Sequence, residues 1–276
     1  MSKEMQTPFY DSAQQQNAWL FEMAETLKYK DLIIHLVRRD VTARYKRSIL
    51  GVAWTMINPL GMMLILSVIF SQVFVAVEGY AAYILSGLLM WNFFSQSTVT
   101  GIGSIVAGGD LFRRIYVPRS IFAISAIGTA IVNLVISLVP FLLVSVVVGI
   151  RPTIYFPLVV IPIILLSFFS LGVSLIIASL GVRFADIVEV YNNIGLTAWM
   201  YLTPILYPLD VLPPWLLALE KFNPMFHFIK LFRDPLYYGQ MFYPQLLGIC
   251  FLMSAITFIT GWIFFSRITD EIAYRS

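Results

Sequence analysis

The chain has 276 residues, of which 59% are hydrophobic and only 12% are charged. A water-soluble domain usually carries about 25% charged residues, so this composition excludes a soluble globular protein and indicates that most of the chain lies in lipid. The formal net charge is +3, but the basic residues lie outside the apolar runs, a pattern of membrane orientation rather than of nucleic-acid binding. The single cysteine, Cys250, excludes an intrachain disulfide.

The N-terminal segment is polar to about residue 17 and lacks the features of a signal peptide. Residues 30–47 then fit an amphipathic helix with a basic face, which is typical of a helix lying in the membrane interface. The residues assigned to this interface helix are Arg38, Arg39, Arg44, Tyr45, Lys46 and Arg47. A helix of this kind that packs on a soluble partner is the alternative.

Six apolar runs of about the length that a bilayer requires come next, and they are 52–77, 81–103, 121–149, 155–180, 192–208 and 244–265. The runs are continuous rather than alternating, which excludes a membrane β-barrel. The fifth run is the weakest because Asn192, Asn193 and Pro204 interrupt it. The sequence therefore predicts an all-α integral membrane protein with a cytoplasmic segment 1–51, a six-helix domain 52–265 and a cytoplasmic tail 266–276.

The distribution of Lys and Arg predicts the orientation of these spans. With six spans, 14 of the 18 basic residues fall on one side of the membrane and four on the other. Because cytoplasmic loops carry the excess of Lys and Arg, both termini are expected in the cytoplasm. Omitting a span would destroy this separation.

Two connecting segments stand out. The cytoplasmic loop at 108–119 offers Asp110 as a helix cap. Its side chains Leu111, Phe112 and Ile115 offer an apolar face for a partner. Its predicted docking residues are Asp110, Leu111, Phe112, Arg113, Arg114 and Tyr116. A basic anchor that only sets topology is the alternative. Residues 208–243 alternate prolines with apolar stretches too short to span, which predicts short re-entrant or surface helices on the outer side, with an ordinary outer loop as the alternative.

The chain lacks the residues that catalysis or ion coupling would need. No ionisable residue sits in the middle of a span, whereas proton-coupled carriers usually hold one there. The phosphate-binding pattern G-x-x-x-x-G-K-[ST] is absent from the sequence, and His35 and His227 fall on opposite sides of the membrane. No metal cluster is expected. If the protein pumps, its energy must arrive through a partner.

Polar and aromatic residues inside the spans are candidates for a transport path. Sugars and other hydroxyl-rich ligands rest on aromatic rings and need amide or hydroxyl partners. The candidate path residues are Asn58, Asn192, Trp199, Tyr201 and Thr203. Trp199 and Tyr201 lie about 160° apart on a regular helix, so both can line one path only if Pro204 makes the fifth span irregular. Packing against neighbouring helices is the alternative for each ring.

Three motifs give the chain a family resemblance. They are Arg39–Trp54 with Asn58-Pro59-Leu60, then Val117–Ser120, and finally Thr203–Pro208 followed by Asn223-Pro224 and Phe232-Arg233. Together they resemble ABC-2 type permeases for polysaccharide and polyol phosphate export, across nearly the whole chain.

The resemblance implies a homodimer in the bacterial inner membrane with two separate ATP-binding subunits, which would hold the ATP and Mg. It also implies that the loop after span 2 contacts the ATPase, that spans 1 and 5 line the path, and that the cargo is an undecaprenyl-linked glycan such as O-antigen, capsule or teichoic acid. A permease for a drug or lipid has the same architecture. A secondary transporter or a membrane-embedded enzyme is a further alternative, but the absence of intramembrane charge disfavours it.

Overall fold

The structure is a computed structural model that describes residues 23, 25–26, 28–45, 51, 53–107 and 117–275. Every regular element among these residues is helical, which confirms the predicted all-α class for them. The helices are α1 (Lys30–Tyr45), α2 (Ala53–Phe70), α3 (Tyr80–Ala107), α4 (Ser120–Val147), α5 (Val160–Arg183), α6 (Ala185–Val190), α7 (Leu196–Leu202), α8 (Pro214–Glu220), α9 (Pro224–Leu236) and α10 (Pro244–Arg275). Short 3-10 turns occupy Phe156–Val159 and Leu209–Val211.

Four helical segments in the described part of the chain are long and apolar enough to cross a membrane. They are Ala53–Phe70, Ser120–Val147, Phe156–Arg183 and Pro244–Arg267. These correspond to the first, third, fourth and sixth predicted spans. The second and fifth predicted spans do not meet the same criterion of length and composition, so the six-span count rests on the sequence pattern alone.

The second predicted span, α3, is the central helix of the bundle. It contacts α2, α4, α5 and α9, and residues 82–91 are all buried. Asn92, Gln96 and several hydroxyl residues lower its apolar character. A helix surrounded by protein can carry such polar groups because neighbouring helices supply hydrogen-bond partners.

The fifth predicted span is broken rather than continuous. α6 is followed by a π turn at Tyr191–Gly195 and then by α7, which ends at Leu202. Thr203 is extended, with φ −90° and ψ 137°, because a residue that precedes proline is disfavoured in the helical region. The expected irregularity at Pro204 is therefore present as a helix end, and a π turn adds a second irregularity upstream.

α5 and α10 cross at two glycines. A Cβ atom added to Gly172 would lie 2.2 Å from the carbonyl oxygen of Thr257, and one added to Gly261 would lie 2.4 Å from the carbonyl oxygen of Gly172. No larger side chain fits at either position without separating the helices. Small residues at helix crossings allow this close backbone approach in membrane proteins.

α1 packs against α4 through a narrow face. Leu36 is buried, and Val37 lies so close to Gly128 of α4 that a Cβ there would be 2.7 Å from its Cγ2 atom. Ile34 is 62% exposed within the chain, because contact with a single helix covers only a narrow stripe of α1. Arg38 and Arg39 are exposed, and Arg39 pairs with Asp40 at 2.8 Å.

Arg44 and Tyr45 lie in the last turn of α1. Lys46 and Arg47 lie outside the described residues, as do the predicted docking residues at 110–116. At the other end of the chain, α10 continues to Arg275, so the predicted tail 266–276 continues the last helix through that residue.

Candidate functional site

A polar cleft of about 470 Å³ lies between α2, α3 and α4. Its lining residues are Trp54, Thr55, Asn58, Pro59, Leu89, Asn92, Phe93, Ser95, Gln96, Val99, Thr100, Ala130, Asn133, Leu134 and Ser137. Four of them carry side-chain amides, contributed by all three helices. None of the described lining residues is ionisable, so the cleft offers donors and acceptors without a fixed charge.

The amides of the cleft differ in how they are bound. Asn133 Nδ2 donates a hydrogen bond of 2.9 Å to Gln96 Oε1, which joins α4 to α3. Ser137 Oγ donates to the carbonyl oxygen of Thr55 at 3.3 Å, which joins α4 to α2. Asn58 and Asn92 are exposed. The cleft therefore has a bonded floor and two amides open to a ligand, a partner or water.

The π turn and α7 lie on another side of α3. Tyr191 and Thr98 form a hydrogen bond of 2.8 Å between their hydroxyl groups, with the tyrosine as donor. The Trp199 ring packs edge-to-face on Trp91 and Phe94 of α3, with centroids 6.2 and 5.2 Å away. The Asn192 Oδ1 atom is buried and has no hydrogen-bond partner among the described residues. π turns occur frequently at functional sites.

Asn223 ties the end of α7 to the start of α9. Its Oδ1 atom accepts from Trp199 Nε1 at 2.9 Å and from the Met225 backbone N–H at 3.1 Å. Its Nδ2 atom donates to Thr203 Oγ1 and to Glu220 Oε2, both at 3.0 Å. A side-chain amide has two donor hydrogens and two acceptor lone pairs, so all of its capacity is used. Asn223 is also the N-cap of α9.

Arg233 lies near the other end of α9 and is buried, with 5% of its surface exposed. Nη1 donates to the carbonyl oxygen of Pro204 at 2.9 Å, and Nη2 donates to those of Ile205 at 2.9 Å and Tyr83 at 3.1 Å. Nε donates to Ser86 Oγ at 3.2 Å. Both described ion pairs involve other residues, so backbone oxygens, a hydroxyl and the Tyr83 ring, 3.7 Å from Cζ, stabilise its charge.

Two carboxyl groups between the fifth and sixth predicted spans are also buried. Burial raises the pKa of Glu220, which is 4% exposed, and the hydrogen bond from Asn223 only partly opposes this shift. Burial also raises the pKa of Asp234, against a hydrogen bond from Gln240 and the charge of Lys230. Among the described residues no cluster of His, Cys, Asp or Glu could hold a metal ion.

The structure places the predicted path residues in three environments. Asn58 lines the cleft, Asn192 lies in the π turn, and Trp199 and Thr203 are bound to Asn223. Tyr201 is 61% exposed, whereas Trp199 packs inward on α3, so the two rings do not share one surface within the chain. Contact of any of these residues with a transported molecule stays a prediction.

Sequence reasoning missed the roles of Asn223 and Arg233. In the sequence, Arg233 is one of the four basic residues of the outer side and part of a family motif, and Asn223 is only part of such a motif. The Asn-Pro pair at 223–224 carries a usable signal, since Asn is favoured at the N-cap and Pro at the first helical position. No local signal indicates that Arg233 would reach Tyr83, 150 positions earlier in the chain.

Comparison with known proteins adds independent information. Residues 31–237 match the model of the family described as ABC-2 type transporter. One relative, the O-antigen export system permease protein RfbA of Myxococcus xanthus, is 32% identical over 189 residues, covering 68% of this chain and 72% of the relative. A protein of the same name from Klebsiella pneumoniae is 28% identical over 249 residues, covering 88% of this chain and 94% of the relative.

Proposed function

The chain belongs to the ABC-2 type transporter family, and from that premise we propose that it is the membrane subunit of an ATP-driven exporter whose cargo is an O-antigen-type polysaccharide on a lipid carrier. Two similar proteins that span most of this chain are named O-antigen export permeases. Capsular polysaccharide and teichoic acid are related cargoes with the same hydroxyl-rich chemistry, and the experiment below distinguishes them.

The observation that carries the proposal is the uncharged polar cleft between α2, α3 and α4. A long glycan is flexible and rich in hydroxyl groups, and it must move without being held at any single point. Amides and hydroxyls supply many weak hydrogen bonds of similar strength, whereas a fixed charge would create a deep binding site that slows passage. The open amides of Asn58 and Asn92 meet this requirement.

The proposed arrangement has six spans, with α3 and the broken α6–α7 segment as the second and fifth. Both termini and residues 107–120 face the cytoplasm of a bacterial inner membrane, and residues 209–243 face outward. The split of Lys and Arg supports this orientation. Labelling of Arg113→Cys in a Cys250→Ser background by an impermeant reagent outside intact cells would contradict it.

The proposed assembly is a homodimer with two ATP-binding subunits, which hold the ATP and Mg. The sequence lacks a phosphate-binding loop of its own, and the loop Asp110–Tyr116 is the proposed coupling contact. Replacing Leu111 and Phe112 with Asp is expected to uncouple ATP hydrolysis from export while the chain still inserts.

Deletion of the gene tests the function. We expect loss of the surface polymer and accumulation of an undecaprenyl-linked polymer in the cytoplasm, which mass spectrometry of the extracted lipid identifies as O-antigen, capsule or teichoic acid. Complementation with the intact gene must restore the surface polymer. Unchanged surface polysaccharide and no accumulated lipid-linked glycan in the deletion strain would refute the proposal.

A further inference from the structure

The segment that follows α7 is not helical, yet side chains bind its backbone oxygens in an unbroken series. The carbonyl oxygens of Pro204 and Ile205 accept from Arg233 at 2.9 Å each. The carbonyl oxygen of Leu206 accepts from the Tyr80 hydroxyl at 2.6 Å, and that of Tyr207 accepts from the Tyr83 hydroxyl at 3.1 Å. Each of these donors comes from α3 or α9.

This series addresses a specific energetic problem. An irregular segment at or near membrane depth has backbone groups that no helix satisfies, and leaving such groups unpaired in lipid is strongly unfavourable. Here the carbonyl oxygens of residues 204–207 all accept hydrogen bonds from side chains. The irregular conformation is therefore a stable state of this segment. Pro204 explains why the helix ends here. The side chains of Tyr80, Tyr83 and Arg233 explain why the segment after it keeps its irregular conformation.

Arg233 also connects three elements at one point. Two of its hydrogen bonds reach the irregular segment, and two reach Tyr83 and Ser86 of α3. Space for this contact depends on Gly87, where an added Cβ would lie 2.6 Å from Nη2 of Arg233. A planar guanidinium can serve several acceptors in fixed directions, whereas an ammonium group acts as a single flexible point charge.

The second attachment lies at the start of α9. Asn223 binds the indole of Trp199 in α7 and the hydroxyl of Thr203, the residue that follows α7. α9 therefore holds α7 and the irregular segment at two places, about ten residues apart along its own length. Because α9 is buried along most of its length, it is a rigid support for both attachments.

We propose that Asn223 and Arg233 are positioning residues that hold the outer end of the fifth span in its broken conformation and so set the orientation of Trp199 during export. Neither residue needs to touch the cargo. The link to export rests on the proposed function, whereas the effect on the irregular segment does not. Opening of this end must then move α9 together with α7, or break the contacts of Arg233 with α3.

The experiment places single cysteines in a Cys250→Ser background and measures their labelling by an impermeant maleimide in the assembled transporter. Ile205→Cys reports on the irregular segment, since Ile205 has 0% of its surface exposed. Ala82→Cys in α3, also at 0% exposure, reports general unfolding, and Met241→Cys, at a side chain 60% exposed in the outer segment, is the labelled reference. Each reporter is combined with Asn223→Ala, with Arg233→Lys and with neither.

We expect both substitutions to raise the labelling rate of Ile205→Cys by about tenfold, since a loss of one or two hydrogen bonds changes a local equilibrium by that factor. Ala82→Cys should stay unlabelled. Surface polymer per unit of permease should fall while the basal ATPase rate of the complex stays normal.

Three results would overturn the proposal. Ile205→Cys that stays protected in both variants would show that the contacts do not hold the segment. Labelling of Ala82→Cys as well would show general unfolding, and faster labelling with unchanged export would show that the orientation does not matter for transport. The labelling needs no knowledge of the cargo, so it tests the positioning role of Asn223 and Arg233 separately from the proposed function.

Discussion

Two regions of this chain concentrate polar side chains inside a largely apolar protein, and they treat them in opposite ways. The cleft between α2, α3 and α4 leaves Asn58 and Asn92 exposed. The α7–α9 junction pairs every donor and acceptor of Asn223 and four donors of Arg233. A polar residue in or beside a membrane helix thus indicates either a ligand surface or a structural joint, and only its hydrogen-bond partners distinguish the two.

The helices beside these two regions also differ in the share of their residues that the rest of the chain buries. Of the 18 residues of α2, Ala53–Phe70, 11% are buried, whereas 56% are buried in an apolar stretch of 18 residues within Phe156–Arg183, which contains α5. Both are apolar enough to span, so hydrophobicity alone does not predict which one lies inside the bundle. The cleft lies beside the loosely packed helix, which is consistent with a surface that meets other molecules.

The largest effect is expected from Arg233→Met at the joint. Methionine has similar length but no donors, so several buried oxygens lose their partners at about 1–3 kcal/mol each. The thermal midpoint of the detergent-purified protein and its abundance in the membrane should both fall sharply. Lys230→Met, an exposed cation on the same helix, is the control, and equal losses in the two variants would show that the buried contacts of Arg233 add nothing.

A large effect on transport without an effect on folding is expected from the double substitution Asn58→Leu with Asn92→Leu. Both amides are exposed, so their removal should change stability by less than about 1 kcal/mol, whereas surface polymer per unit of permease should fall about tenfold. Thr260→Val, which makes an exposed position on α10 apolar, is the control for added lipophilicity. Normal export in the double variant would remove the cleft from the path.

Smaller effects are expected from the two aromatic path candidates, and one substitution should affect export while the other affects stability. Tyr201→Ala alters an exposed ring and should lower export with no change in the thermal midpoint. Trp199→Phe keeps a ring against α3 but loses the hydrogen bond to Asn223, so it should lower stability by about 1 kcal/mol. If Tyr201→Ala exports normally, Tyr201 does not line the path.

The smallest expected effect is a pH dependence at Glu220. Its folded-state pKa is raised, so the folded chain holds the proton more tightly than the unfolded chain. Stability is therefore highest below the ordinary carboxyl value of 4.5 and falls as the pH rises from there through the folded-state pKa. In Glu220→Gln, the thermal midpoint measured across the acidic range should fall less with rising pH than in the unsubstituted chain. Asp186→Asn, which changes an exposed carboxylate, is the control and should keep the full fall.

The sequence predicted the all-helical class and the position of each long helix, because these depend on continuous apolar runs and on turn residues that act locally. It also predicted the family, through motifs whose residues are close together in the chain. The helix α1 was predicted at 30–47 and is found at Lys30–Tyr45, with residues 46 and 47 outside the described part of the chain.

What could not be predicted depends on partners that are distant in the sequence. The burial of Arg233 requires Gly87 to leave space and Ser86 to accept a hydrogen bond. The π turn at Tyr191–Gly195 is accompanied by the bond from Tyr191 to Thr98. Neither arrangement leaves a periodic pattern in a single segment of the sequence. The buried Arg233 was therefore interpreted only as a charge that sets the orientation of the spans and as part of a motif.

The contact between Gly172 and Gly261 has a mechanical consequence. Since the backbones of α5 and α10 touch there, a shift of one helix along the other by a single residue would drive a side chain into a main-chain atom. Sliding of this pair is thus blocked sterically, while a change in crossing angle about the contact leaves the spacing unchanged. The two helices can therefore rotate relative to each other about the glycine contact but cannot slide, and any movement transmitted through them must be a rotation.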